Sequence, residues 1–248
     1  MKNIFKSLFF KVNDIENVLK FYEALGFSYE IEEKGIYKLF LEERNFFIYL
    51  IFEKNLNLKP LRVIGLYHFA LLVPNRKNLA GILRKLINNN VKFEGFADHG
   101  VSEAIYIIDP QNITIEIYCD KDIEKLPKEM ITDYLDIENL LQENEKEEFL
   151  HPQTIIGHLH FYYNDLKSGK LFYENLGMKV TYDNYPGALF LAYNNYHHHI
   201  GINIWAKNRF PPPNSTGFIG FEMKIPSEFY KEEKLIDPIG NFLILKKL

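Results

Sequence analysis

The feature that most constrains this chain is an internal repeat. Asn13–Phe27 reads NDIENVLKFYEALGF and Asn164–Met178 reads NDLKSGKLFYENLGM, so Asn-Asp, Phe-Tyr-Glu and Leu-Gly recur at identical spacing. A repeated unit is one supersecondary module used more than once. In each copy an alternating run, SLFFKV or HLHFYY, precedes the Asn-Asp and reads as a half-buried strand. Asp14 or Asp165 then opens a helix whose apolar residues recur at helical spacing, as at Ile15, Val18, Leu19 and Tyr22. Gly26 and Gly177 stop that helix. Strand-like runs follow: IYKLFLEE and FFIYLIFE in the first copy, GALFLAYN and HIGINIWA in the later one.

A second pair of segments follows the same plan more loosely. Tyr67–Val73 reads as a strand, Asn78–Asn89 as a helix, and AIYIID and ITIEIYC as strands joined by Pro110-Gln111-Asn112. The end of the chain repeats this as GFIGFEMKI, a short helix and DPIGNFLILKK. The expected architecture is α+β, with four βαβββ modules at about 4–53, 64–119, 155–206 and 217–248. The fourth is truncated, so its cup is expected to be incomplete. Residues 121–150 are charge-rich and read as a linker with one helical stretch near Asp133–Glu143. The expected domains are 1–120 and 151–248, each holding two modules.

Composition narrows the function classes. Lys+Arg number 29 and Asp+Glu 33, a net charge of −4, which argues against a nucleic-acid partner. The apolar runs are strand-sized and too short to span a bilayer. The start, MKNIFKSLFFKVND, breaks its apolar stretch with a charge and lacks a small-residue cleavage site, so a cytoplasmic protein is expected. A single cysteine, Cys119, fits a reducing interior and reads as a small buried hydrophobe. There is no P-loop and no GxGxxG after a strand.

Chemistry concentrates between Gly65 and Asp120. His68 and Glu116 lie on strand-like runs, with His99 and Tyr106 between them. Imidazole nitrogen and carboxylate oxygen together suit a divalent iron or manganese site with open positions. Glu116 sits in the apolar run ITIEIY, and a buried carboxylate is costly unless paired or metal-bound. The plain alternative is an outward-facing glutamate and a core histidine. In the later half, His158 and His160 share a strand face, and His197 and His199 share one with Asn203. These could ligate a metal, with Glu222 as an improvised acid beside His158 and His199, or form a hydrogen-bonded cluster.

Paired βαβββ modules resemble the vicinal oxygen chelate superfamily of glyoxalases, extradiol dioxygenases and antibiotic-binding proteins. The strings LYHFALLVPNRKNL, DHGVSEAIYIIDPQNITIEIYCD and NYHHHIGINIWA are similar to its catechol 2,3-dioxygenase-like branch. The resemblance implies two cupped mixed sheets and ring cleavage of a catechol-type aromatic by Fe(II) or Mn(II). It assigns His68 and Glu116 as metal ligands, and His99 and Tyr106 as groups that assist the bound catecholate. The remaining ligand position falls at Ser7, and residues 1–67 hold no histidine. Two other readings stay open: a ligand-binding member without turnover, and a metal-dependent isomerase or lyase of glyoxalase type. The expected partner is a small aromatic molecule, and a homodimer is plausible for such folds.

Overall fold

In the computed structural model, which describes residues 3–121, 131–194 and 196–248, both copies of the repeat fold alike for the same local reasons. The first module comprises β1 (Phe5–Val12), α1 (Ile15–Leu25), β2 (Ser28–Glu33), β3 (Ile36–Phe40) and β4 (Phe47–Phe52). The Asp14 carboxylate caps α1 by accepting from the Asn17 backbone N–H at 3.3 Å, and Gly26 closes the helix at φ 105°. Only a residue without Cβ adopts that conformation readily. The third module comprises β9 (Ile155–Tyr162), α4 (Leu166–Glu174), β10 (Lys179–Tyr182), β11 (Ala188–Ala192) and β12 (Ile200–Asn203). There the Asp165 carboxylate accepts from the Ser168 N–H at 2.8 Å. Such a cap contributes about 1 kcal/mol.

The second module comprises β5 (Gly65–Leu72), α2 (Arg76–Asn88), β6 (Phe93–Asp98), β7 (Ser102–Ile108) and β8 (Thr114–Asp120). The fourth keeps three strands, β13 (Gly217–Ile225), β14 (Lys234–Ile236) and β15 (Phe242–Lys247), with a 3-10 turn at Ser227–Phe229 in place of the helix. Between the second and third modules lies α3 (Ile137–Leu141), shorter than the expected Asp133–Glu143. Residues 131–150 are docked rather than loose. Arg84 donates to the carbonyls of Leu141 and Asn144, at 2.8 and 3.0 Å, and Leu140 and Leu150 are buried. Residues 122–130 of the expected linker lie outside the described residues.

The strands form two mixed sheets, but not by pairing neighbours along the chain. One sheet has the order β14-β15-β13-β1-β4-β3-β2, joining the first module to the fourth. The other has the order β10-β11-β12-β9-β5-β8-β7-β6, joining the second to the third. The segments 1–120 and 151–248 therefore each contribute to both sheets. The joints are antiparallel pairs of first strands, β1 with β13 and β5 with β9.

Alternation along these first strands separates core from cavity. Leu8, Phe10, Phe69, Leu71, Leu159 and Phe161 fill the space between the sheets. Phe10 meets Phe69 at 5.7 Å between ring centroids, and Phe161 meets Phe221 at 6.1 Å. Each such side chain contributes about 1.5–3 kcal/mol when fully buried. The intervening residues point into the concave side of their own sheet. Among the described residues no helix is long and apolar enough to cross a membrane.

At the β7–β8 turn, Asp109 is buried and its Oδ1 accepts from the N–H groups of Gln111 and Ile113, both at 2.8 Å. Tyr22 from α1 donates to its Oδ2 at 3.4 Å, and Lys59 is the cation that faces it. Burial pushes the Asp109 carboxyl up to about 7. The folded state thus holds a proton that the unfolded chain has already released above its ordinary carboxyl range. Stability is therefore predicted to fall as pH rises from about 4 to about 7, by an amount on the order of 2–4 kcal/mol. Asp109→Asn keeps an Oδ1 acceptor and removes the titration, so urea unfolding across that range is expected to show a flatter pH profile in the variant.

Candidate active site

The β5–β9 joint sets the site. In register, Ala70 of β5 lies between Glu116 of β8 and His158 of β9, while His68 lies between Thr114 and His160. Only the Ala70 methyl stands between the glutamate and His158. The three functional side chains therefore lean together over it from three adjacent strands. His68 Nε2 lies 3.0 Å from Glu116 Oε2, His158 Nε2 lies 3.1 Å from the same oxygen, and the two nitrogens are 3.3 Å apart. This is the cluster of potential metal ligands among the described residues.

The donor set fits a divalent ion. Two imidazoles and one carboxylate on one face leave the opposite positions open, as in non-haem iron oxygenases. Donors about 2.1 Å from a common centre and at right angles lie about 3.0 Å apart, close to the observed edges. All three residues are buried, and the Nδ1 atoms of His68 and His158 have no hydrogen-bond partner. One carboxylate oxygen is the polar anchor of both rings, an arrangement that a cation at its centre would compensate. Burial pushes the Glu116 carboxyl up, but His158 and His68 outweigh it and hold the group well below the usual carboxylate range. Burial pushes His158 down to about 4. Carboxylate and neutral imidazole are the forms that bind metal.

His99 and Tyr106 meet as a pair beside this cluster. Ile131 offers a carbonyl 3.0 Å from His99 Nδ1, so that nitrogen donates. His99 Nε2 is then an acceptor, and the Tyr106 hydroxyl lies 2.8 Å from it. Burial and the Glu116 charge hold the Tyr106 phenol well above its ordinary value, so it keeps its proton.

These groups line a cavity of about 180 Å³. Its walls include Tyr67, Tyr185, Phe190 and Trp205, with His160 and His198 facing inward. Asn203 fixes His160: the amide nitrogen lies 3.0 Å from His160 Nε2 and donates to it. Gly201 makes room for that ring, since a Cβ there would approach the imidazole carbon to 2.8 Å.

Several sequence expectations are corrected. Ser7 does not belong to this cup. It sits in the seven-stranded sheet and donates to Glu222 Oε2 at 3.1 Å. The third donor beside His68 and Glu116 is instead His158, because the second module pairs with the third. The alternative set of His158, His199 and Glu222 is split between the two sheets. His199 Nδ1 accepts from the Tyr193 N–H at 3.3 Å, and its ring packs on Tyr196. His198, Tyr185 and Trp205 were not singled out from sequence. His198 lies in the bend before β12, where strand alternation no longer tells which way a side chain points. The seven-residue offset that places Ser7 before Asp14 also places His68 before Asn75 and His158 before Asp165, so all three share the first-strand position and only the pairing of modules separates them.

Iron(II) or manganese(II) is predicted to bind at one ion per chain. Calorimetry or metal analysis is expected to show affinity reduced at least about 100-fold in His68→Ala and His158→Ala. Ser7→Ala is expected to bind as the parent does.

No protein-family model matches the chain. It is 37% identical over 247 residues to a catechol-2,3-dioxygenase of Bacillus subtilis (strain 168), covering 93% of this chain and 84% of that protein. A putative dioxygenase from Bacillus subtilis superposes with a TM-score of 0.64 at 10% identity, over 99% of this chain and 85% of the other. Glyoxalase I from Zea mays superposes with a TM-score of 0.61 at 14% identity, over 98% and 91%. The structural likenesses establish the shared fold, and the sequence relative, over nearly the full chain, establishes the family. The chain belongs to the catechol-2,3-dioxygenase family of the vicinal oxygen chelate superfamily.

Proposed function

We propose that this protein is an extradiol ring-cleavage dioxygenase for a single-ring catechol, using Fe(II) or Mn(II) held by His68, Glu116 and His158. The observation that carries this reading is the convergence of those three donors at the floor of an aromatic-walled cavity. A volume of about 180 Å³ is well below that of a drug-sized site and suits one ring with small substituents. When bound, the metal supplies a Lewis-acidic, redox-capable centre at which a vicinal diol and dioxygen can be held side by side.

The chain's own groups handle position and protons. Tyr67, Phe190 and Trp205 offer ring faces and edges to an aromatic substrate and keep water out. Tyr106 keeps its O–H, directed at His99 Nε2 in the substrate-free site, and can turn it to oxygen charge that develops on the substrate. His99, held by the Ile131 carbonyl, presents Nε2 to the Tyr106 hydroxyl and can exchange a proton with it. We place the protein in the cytoplasm, since its one cysteine, Cys119, is a buried free thiol that needs no oxidising compartment.

The test is oxygen uptake with catechol by protein loaded anaerobically with iron(II), read beside the absorbance of ring-opened product. One oxygen per catechol is expected. Tyr106→Phe and His99→Gln are predicted to retain metal and lose about 10²–10³-fold in kcat. Turnover that persists without oxygen would reassign the site to isomerase chemistry. Catechol binding without product and indifferent to chelators would make it a binding protein.

A further inference from the structure

Behind the cavity wall, three side chains form a line that the reaction described above does not use. His198 lines the cavity, its ring centroid 4.1 Å from that of His158 and 5.0 Å from that of Phe190. Its Nδ1 lies 2.8 Å from Nδ1 of His197. Nε2 of His197 lies 3.0 Å from Oδ1 of Asp120, at the end of β8. The Tyr196 hydroxyl donates to the same oxygen at 3.4 Å and lies 2.7 Å from the Tyr118 hydroxyl, so the carboxylate is held from a second direction. His197 and His198 are neighbours in the chain, yet their rings turn in opposite directions, one toward the carboxylate and one toward the cavity.

We infer that Asp120 and His197 fix the tautomer of His198, leaving its Nε2 as the lone pair offered to a catechol hydroxyl. The argument is one of hydrogen-bond direction. A carboxylate only accepts, so the proton of the His197 ring lies on Nε2. In the neutral His197 ring Nδ1 is then an acceptor, and the bond to His198 requires the proton on His198 Nδ1. That leaves His198 Nε2 without a proton on the cavity side. The logic is that of a serine-protease triad, where a buried carboxylate selects the tautomer of its histidine and the amide variant supplies the wrong one. Here the selection passes through two rings. Asp120 and His197 are positioning residues, since neither lines the cavity.

The role of the selected nitrogen rests on the catechol reading, but the tautomer does not, and it is measured first. Two-bond proton–nitrogen correlation spectra of metal-free, nitrogen-15-labelled protein distinguish the two neutral forms of each histidine. The His198 signal is assigned by its absence in His198→Gln. The protonated Nδ1 form is expected in the parent, and a switch to the Nε2 form, or a mixture, in Asp120→Asn. In steady-state assays with catechol, Asp120→Asn is expected to lower kcat about 10²-fold with KM and metal content unchanged. Asp120→Glu is expected to restore the parental tautomer and most of kcat. A parental His198 protonated on Nε2, or one whose tautomer ignores Asp120→Asn, overturns the inference. The expected tautomers in a protein that turns over no catechol would sink the proposed function and leave the tautomer selection by Asp120 and His197 standing.

Discussion

Everything in the candidate site depends on one antiparallel joint between β5 and β9. That pairing sets Ala70 opposite His158 and His68 opposite His160, and the parallel pairing of β5 with β8 sets Ala70 beside Glu116. Strand side chains alternate with period two, so a shift of one residue would turn the histidines of β9 into the core and Leu159 and Phe161 into the cavity. The apolar residues of the same strands prevent that slip. Phe69 and Phe161 are fully buried between the sheets, and exposing them would cost several kcal/mol. The hydrophobic core thus fixes the geometry of a polar cluster whose own hydrogen bonds are few.

The seven-stranded sheet shows what the same joint becomes without such donors. Ser7 of β1 pairs with Glu222 of β13, and Phe9 pairs with Gly220. Phe9 stacks on Tyr49 at 5.0 Å and meets Phe242 at 5.1 Å. Phe242 presses on Gly220, where a Cβ would overlap its carbonyl and ring. One cup carries converging donors and the other carries aromatic packing, on one architecture. The truncated fourth module belongs to the second kind, whose cup gathers no set of metal-type donors among the described residues.

Much of this was legible in the sequence, and the part that was not has a definite cause. The Asn-Asp and Leu-Gly punctuation located α1, α4 and their flanking strands, because caps and glycine stops are local physics. His68, Glu116, His99 and Tyr106 were named from their places on strands and from family resemblance, and the fold brings all four to one cavity. His158 was also named, but for a different cup. Which module pairs with which is a long-range choice between similar edges, and no local signal in residues 53–64 or 121–150 decides it. His198 and Trp205 eluded pattern reading because both lie just outside β12, where periodicity gives no direction.

The nesting of the modules also bears on how the chain is made. The second and third modules are adjacent in sequence, and their shared sheet is complete once Asn203 has been synthesised. β1 finds β4 early, but the residue facing Ser7 across the other joint lies 215 positions downstream. β1 must therefore hold an unpaired edge until β13 has been made, while the inner cup closes first. Closing so long a loop costs entropy that later contacts must offset. The sheet that holds the candidate site is the one whose assembly does not wait for β13.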